Sequence, residues 1–352
     1  MLEQNSIDEF KSTLKVLADK FLNAEIPLDA TKSIMPSGHN GPYYDVETPI
    51  RNTAHWLCTY SVLYRDTGDD RYFDLANRLA NFLFDPAPHI KDGVYIHRQK
   101  AGKDWCNGVI GQAWVIEVLN IAYSCLNRPE LKDAAIRAAK AFPFNQAVGA
   151  WEKIDPHNGK KGIDYTLNHQ TWFAAALIEL NEPSLNKSVV QYLDGLQAGA
   201  MRVRQDGVIA HLLYKNSLKG ALLHLRYKLS EKRLWKKVRE KEVGYHLFNL
   251  HPLARIYKHI PEHPFFGTEV FKKSLDVAYT NTFVEELAQS QYAYPYNAPA
   301  FEYPLVSAVF NKTCPDSIFS TQVEKTLFKE MSSFGNCPDA NTLNARVYEF
   351  FI

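Results

Sequence analysis

Five cysteines in 352 residues, at positions 58, 106, 125, 314 and 337, form no Cys-x-x-Cys pair. An odd number of scattered thiols argues against a disulfide framework and for a reducing compartment. No window approaches 18 apolar residues, so no segment is expected to span a membrane. The opening MLEQNSIDEFKSTLKVLADKF is a charged amphipathic helix, without the basic start and apolar run of a signal peptide. Neither sign of charge is in excess: 40 Lys and Arg face 39 Asp and Glu, so no nucleic-acid partner is expected. Gly-x-Ser-x-Gly, P-loop and Gly-x-Gly-x-x-Gly patterns are all missing, which sets aside the chemistries they serve. A cytoplasmic location follows as the expectation.

What remains is a globular composition, 46% hydrophobic and 22% charged, with enough apolar residues for a large core. Aromatic residues reach 13%, with 19 Tyr and 6 Trp, which suits stacking on flat ligands as well as helical packing.

A loose repeat of 40 to 80 residues runs along the chain. Each unit has a polar, aromatic opening, an apolar helix rich in Ala and Leu, a short turn and a second, amphipathic helix. The first three are TPIRNTAHWLCTYSVLYRDTG with DDRYFDLANRLANFLF, NGVIGQAWVIEVLNIAYSCLN with PELKDAAIRAAKAF, and DYTLNHQTWFAAALIELN with EPSLNKSVVQYLDGLQA. Later come GYHLFNLHPLARIYKHI with TEVFKKSLDVAYTNTF, and APAFEYPLVSAVF with DSIFSTQVEKTLFKEMSS. DANTLNARVYEFFI is an inner helix without a partner after it, and residues 6–23 form a spare outer helix. Pairing these two closes a ring of six hairpins. The fold expected is all-α with very little β: one toroid domain over residues 1–352, its apolar helices inside and its amphipathic helices outside. DGVYIHR and DGVIAHLLY read as brief extended pieces after Asp-Gly turns.

Residues 215–241 interrupt the repeat. They carry ten Lys or Arg against two Glu, with Leu218, Leu222, Leu225 and Leu229 on one helical face. The pattern suits peripheral contact with an anionic membrane at its inner face, or a solvated helix packing its leucines on the domain.

In such a toroid the inner helices run parallel, and their N-termini gather free N–H groups and positive dipole ends at one mouth. The polar clusters fall at those helix starts. The first is Asp45, Glu47, Arg51, Asn52, His55 and Trp56; the second is Asp104, Trp105, Asn107, Gln112 and Trp114; the third is Asp164, Asn168, His169 and Trp172. Later starts add Tyr245, His246, Asn249 and His251, then Tyr296, Asn297, Glu302 and Tyr303, then Asp339, Asn341, Asn344 and Arg346. Asp164 and Asp339 are equally good as N-caps. His259 and His263 are four apart but separated by Pro261, which spoils a helical metal pair.

At these residues the chain resembles the six-hairpin glycosidase-like superfamily of (α/α)6 toroids. Gly162-Ile163-Asp164 followed by Asn168 is similar to the Asp-x-x-x-Asn segment of unsaturated glucuronyl hydrolases, where the Asp donates a proton to a vinyl ether and helps activate water. A Gly-Gln-Ala-Trp like that of residues 111–114 also occurs in that family, after the catalytic Asp rather than before it. Trp105, Gly111-Gln112 and Leu167-Asn168-His169 follow the order seen in the helical domain of glucuronyl C5-epimerases, with His169 in place of a Gly. The β-rich N-terminal portion of those epimerases has no counterpart here. Asp-Trp-Cys-Asn-Gly is similar to the Trp-Cys-x-Gly of zinc-binding lanthionine cyclases, but the Cys-His pair of those toroids is missing, and no metal or other cofactor is expected.

The resemblance implies an enzyme acting on an acidic, uronate-containing oligosaccharide or polysaccharide, foremost as a glycoside hydrolase. Asp104 and Asp164 would form the acid/base pair in one cavity, one of them kept protonated, with His169 beside them. Arg51, Gln112 and Asn168 would bind hydroxyl or carboxylate groups, and Trp56, Trp105 and Trp172 would stack on sugar faces. Asp45, Asn52, His55, Asn107, Trp114, His246, Asn249, Glu302 and Tyr303 complete the expected substrate contacts. The alternatives are a uronate C5-epimerase or lyase using Tyr or His as base, and a non-catalytic glycan-binding or assembly protein.

Overall fold

Helices that are apolar around their whole circumference must be covered on every side, and the architecture follows from which helices those are. The computed structural model describes residues 2–23, 35–84, 90–91, 93–214, 218–326 and 337–352. α2 (Ile50–Thr67) buries every residue of its first fourteen, and α4 (Ile110–Leu126) the first ten of its seventeen. α3 (Asp70–Phe84) and α5 (Pro129–Lys140) bury only one face, as Leu75, Ala76 and Leu79 or Leu131, Ala135 and Ala138. The same contrast separates α6 (Leu167–Glu179) from α7 (Pro183–Gly195). Left-handed residues end the inner helices: Gly68 (φ 69°) closes α2 with its amide on Tyr64 O, and Asn127 (φ 53°) closes α4.

The inner ring is completed by α9 (His246–His259), α12 (Pro299–Val309), and the short α14 (Ala340–Ala345), which passes into a 3-10 turn at Arg346–Phe350. Each inner helix packs on the next, and the Arg346–Phe350 turn packs on both α12 and α2, so the ring closes. α10 (Glu269–Val277) and α13 (Ser317–Thr326) lie outside, and α1 (Leu2–Asn23) fills the last outer place between α3 and α13. Phe10 on α1 meets Phe350 at 5.3 Å between ring centroids, so the two ends of the chain join in one hairpin, as the spare helices require. The fold is an (α/α)6 toroid. Residues 327–333 of the expected fifth outer helix lie outside the described residues.

Two features, an added helix and a small sheet, differ from the sequence reading. The fourth outer helix stops at Val277, and a new helix, α11 (Asn281–Gln289), starts on Thr280, whose hydroxyl accepts the Phe283 amide; it packs on α8 (Leu218–Gly244) instead of continuing the hairpin. α8 is the basic insertion, continuous except for a kink at Leu234 (φ −131°); residues 215–217 lie outside the described set, as does the Leu218 side chain. A three-stranded antiparallel sheet joins α5 to α6: β3 (Phe144–Asn145), β4 (Ala150–Ile154) and β5 (Lys161–Ile163) in our numbering, after the pair β1 (Ile90–Lys91) and β2 (Val94–Tyr95). The two Asp-Gly segments are extended, as read, through bridges Glu47 to Arg98 and Val203 to Ile209. Among the described residues, no helix is long and apolar enough to cross a membrane.

Across the inside of the ring, Arg255 of α9 binds Glu117 of α4 at 2.5 Å, and Tyr348 donates to the other Glu117 oxygen. Arg346 joins Glu349 and Glu302 nearby, all buried. Buried charges of this kind persist only when paired, and the links to Glu117 from Arg255 and Tyr348 tie together segments that are not neighbours in the ring.

Candidate active site

A cavity of about 930 Å³ opens where the inner helices begin. Its walls come less from the helices than from the connections between them. The strand after β2 brings Arg98, the following turn brings Lys100, Lys103, Asp104 and Trp105, and β4 and β5 bring Lys153 and Lys161. The second Asp-Gly segment adds His211, and the end of α8 adds Lys241. Trp114, Tyr296 and Phe248 lie among the aromatic lining.

Asn107 and Gly108 turn the chain into α4 with φ of 56° and 63°. That turn presents two successive amides to two different carboxylates. Gly108 N donates to Asp104 Oδ1 at 2.7 Å, and Val109 N to Asp164 Oδ2 at 3.1 Å. The two carboxyls therefore lie within roughly 10 Å of one another, as neighbouring amides dictate. Asp164 thus caps the helix of the adjacent hairpin rather than only its own, while its Oδ1 accepts Thr166 N at 3.1 Å. Its Oδ2 also accepts His169 Nδ1 at 2.7 Å.

Burial alone would raise both carboxyl pKa values, but local cations outweigh it. Asp104 sits 2.6 Å from Lys153 Nζ and 3.3 Å from Arg98 Nη2, which hold it well below the usual carboxylate range. For Asp164, burial is overcome by His169 and Lys153, and its pKa is lowered as well. Ammonium, guanidinium and amide donors around the pair favour the ionised form of each, against the expectation that one of them stays protonated.

The wall is cationic. Arg98, Lys100, Lys103, Lys153, Lys160, Lys161 and Lys241 line the cavity against the carboxylates of Asp104 and Asp155. Asp45, fully buried behind it, neutralises part of this by binding Arg98 at 3.1 Å, Lys103 at 2.7 Å and Lys100 at 2.9 Å. Even with Asp45 and Asp164 counted, cations exceed anions by three, which favours an anionic ligand. Burial, then Lys241 and His169, keep His211 neutral. Trp105 is stacked on His157 at 4.3 Å, held by Asp155, which accepts the amides of both.

Of the residues singled out from sequence, Asp104, Trp105, Asn107, Trp114, Asn168, His169, Tyr245 and Tyr296 line the cavity, and Asp164 lies directly behind His169. Arg51 lies beneath the floor, 4.0 Å from the Trp114 ring, bonded to Asn40 and Glu47. The remaining residues serve packing. Trp56 stacks on Tyr60, and Trp172 donates to Phe248 O beside His251, both fully buried, so neither can stack on a sugar. Gln112 holds β2 through Tyr95 N and O; Asn52 donates to Pro36 O; His55 sits between Trp114 and Tyr348. His246 joins Ile209 N to Ser274 O, Asn249 donates to Tyr245 O, Glu302 pairs with Arg346, and Tyr303 donates to Ala278 O. For His55, Trp56, Trp172 and Tyr303 the reason is depth, since they lie more than about one turn into an inner helix and meet the next helix. Asn52, Gln112, His246, Asn249 and Glu302 lie in the first turn but are turned toward neighbouring segments. The residues missed were Arg98, Lys103, Lys153, His211 and Lys241. The Asp-Gly signals marked the segments of Arg98 and His211 but not their direction.

No family model matches the chain. It is 32% identical over 309 residues to archaeal glycosylation protein Q of Haloferax volcanii, with 82% of each chain covered. Among solved structures, cellobiose 2-epimerase from Bacillus thermoamylovorans superimposes with a TM-score of 0.60 at 14% identity over 99% of both chains. Unsaturated glucuronyl hydrolase specific for heparin gives 0.59 at 12% identity, covering 99% of this chain and 96% of that one. An inactive variant of an alpha-1,6-mannanase of Salegentibacter gives 0.55 at 11% identity over 97% and 98%. At these identities the structural likeness shows the (α/α)6 toroid fold alone and leaves the reaction to the site.

Proposed function

Because the chain belongs to the archaeal glycosylation protein Q family, we propose that it is a carbohydrate-active enzyme that moves a proton on an acidic sugar, as a uronate epimerase or lyase does. The observation that carries this reading is the His169–Asp164 pair in a cation-rich cavity. An ionised Asp164 accepts the Nδ1 proton, so the neutral imidazole keeps its lone pair on Nε2, the arrangement of a general base. Removing the proton α to a uronate carboxyl puts the electron pair into that carboxylate, and the added negative charge needs cations near it. Arg98 and Lys153 supply them. Return of a proton to the opposite face inverts the carbon; loss of the β oxygen substituent gives a 4,5-unsaturated sugar. His157 and His211 also line the cavity, and His211, kept neutral by burial, is the candidate for taking up the proton in the reverse direction. A paired-carboxyl hydrolase would need Asp104 or Asp164 protonated near neutrality, which their cation and amide partners oppose.

The test is incubation with glucuronate- and galacturonate-containing oligosaccharides in deuterated water. Deuterium appearing at the carbon next to the carboxyl, or ultraviolet absorbance of an unsaturated product, is the expected result, lost in His169→Ala. New reducing ends without exchange or unsaturation would overturn it in favour of hydrolysis.

We also propose that α8 lies on an anionic membrane surface. Leu222, Leu225 and Leu229, a stripe at helical spacing, are 53%, 54% and 61% exposed, and Leu234 and Trp235 are exposed after them. Lys236 and Lys237 are exposed beside that ring, in a segment with ten basic residues and two acidic ones. Apolar groups bordered by cations suit acidic headgroups over acyl chains.

A further inference from the structure

Lys241 is the one lysine of the cavity wall that faces inward at depth and has no acidic partner within ion-pair distance among the described residues. Its ammonium lies 5.3 Å from the ring centroid of Tyr43 and 5.8 Å from that of Tyr245. Lys103 approaches the same Tyr43 ring at 5.2 Å, but its charge is already met by Asp45 at 2.7 Å. The carboxylate next to Lys241 in sequence, Glu242, is committed elsewhere: it holds Arg204 through two contacts of 2.7 and 2.8 Å and accepts the His211 amide. A half-buried ammonium without a counterion is costly unless something outside the chain supplies the charge.

We propose that Lys241, together with Lys103 at the Tyr43 ring, forms a subsite for a second anionic group of the saccharide, a carboxylate or phosphate, beyond the uronate carboxyl at the His169 end. The proposal rests on the acid-sugar reading above and deepens it: the substrate carries two negative charges, and the two banks of the cavity each take one. The Lys153–Asp104 and His169–Asp164 pairs form one bank. Tyr43, Lys103, Lys241 and Tyr245 form the other, with Phe248 beside them as an apolar surface for the intervening sugar face. Burial, then repulsion from Lys103 and Lys237, lowers the Lys241 pKa to about 8, so the ammonium stays charged near neutrality but is poised to gain from an anion.

The experiment is calorimetric titration of the full chain and of Lys241→Gln and Lys241→Arg with four probes: galactose, galacturonic acid, digalacturonate and galacturonic acid 1-phosphate. Wild type should bind a two-charge probe about tenfold more tightly than galacturonic acid, the gain one charge-assisted contact implies. Lys241→Gln should lose that gain while binding galacturonic acid as wild type does, and Lys241→Arg should keep it. Which two-charge probe shows the gain tells whether the second group is a carboxylate or a phosphate. An equal gain in wild type and Lys241→Gln, or none in wild type, overturns the subsite. If galacturonic acid binds no better than galactose while the two-charge preference stands, the acid-sugar reading fails and the subsite survives. Binding of no probe defeats both.

Discussion

Asp164 Oδ2 lies 2.7 Å from His169 Nδ1, and the same oxygen caps the neighbouring hairpin at Val109 N, 3.1 Å away. One carboxylate thereby fixes both the tautomer of the imidazole and the start of α4. Asp164→Asn keeps the shape but can turn its amide N–H toward Nδ1, favouring the wrong tautomer. Turnover of the uronate substrate should fall about 10²- to 10⁴-fold, the worth of a positioned base, with little change in KM. An unchanged turnover number would remove Asp164 from the mechanism.

Gly108 is the position where backbone and dyad meet. A Cβ there would stand 2.0 Å from Asp164 Oδ2 and 2.5 Å from His169 Nδ1, at φ +63°. Gly108→Ala should lose activity and about 1–3 kcal/mol of stability. Gly102→Ala is the control: its φ is +77°, but no atom lies within 4 Å of the added carbon. It should show a smaller stability loss and near-normal turnover in the same assays.

Asp45 is the buried hub of three cations, two of which, Lys100 and Lys103, are partly exposed. Asp45→Asn should cost about 1–3 kcal/mol, read by chemical denaturation at neutral pH. Burial would raise the Asp45 pKa, but Lys103 and Lys100 overcome it and hold it low. Its stabilisation is therefore present above the ordinary carboxylate pKa, near 4, and lost as the pH falls below that value. The wild-type and variant stabilities should converge on acidification; parallel curves would contradict the assignment.

Glu47 titrates in the opposite sense. Burial drives its pKa up to about 7 despite Arg51, 3.4 Å away, and its Oε2 has no hydrogen-bond partner. A raised carboxyl pKa favours folding below the unfolded value of 4.5, and that advantage is lost as pH rises through about 7. Glu47→Gln should therefore gain in Tm relative to wild type between pH 5 and pH 8. A constant Tm difference across that range would show Glu47 to be ionised throughout.

The exposed stripe of α8 makes a separate prediction. The full chain should sediment with vesicles containing anionic lipid at low salt and be released by added salt. Lys236→Gln with Lys237→Gln should weaken this binding, as should Leu222→Ser with Leu225→Ser. No sedimentation of wild type would leave α8 a solvated helix.

Much of the toroid is legible because helical periodicity reports the number of covered sides, and α2, α4 and α6 read apolar all round in a way that α3, α5 and α7 do not. The spare helix at each end was enough to close the ring. Asp104, Trp105, Asn168 and His169 could be found because they stand within about a turn of a helix start. Trp56 and Trp172 misled because residue type carries no depth along the axis. The cations were illegible for a different reason. Lys153 is an ordinary lysine in a five-residue strand, and only the pairing of β4 with its neighbours turns it toward Asp104. Arg98 sits on an extended segment whose Asp-Gly turn was plain, but which way its side chain faced was set by the bridge to Glu47, a residue fifty positions earlier.

The hairpin made from both ends of the chain has a bearing on biosynthesis. Residues 2–23 are made long before the Arg346–Phe350 turn but cannot take their final place until that turn exists for Phe10 to meet. Until then the ring is a five-hairpin arc with one inner flank of α2 uncovered, and Tyr348 is not yet there to donate to Glu117. The nascent chain therefore holds an open apolar side until residues 346–350 have been made, and its cavity gains a closed rim only when that hairpin is completed.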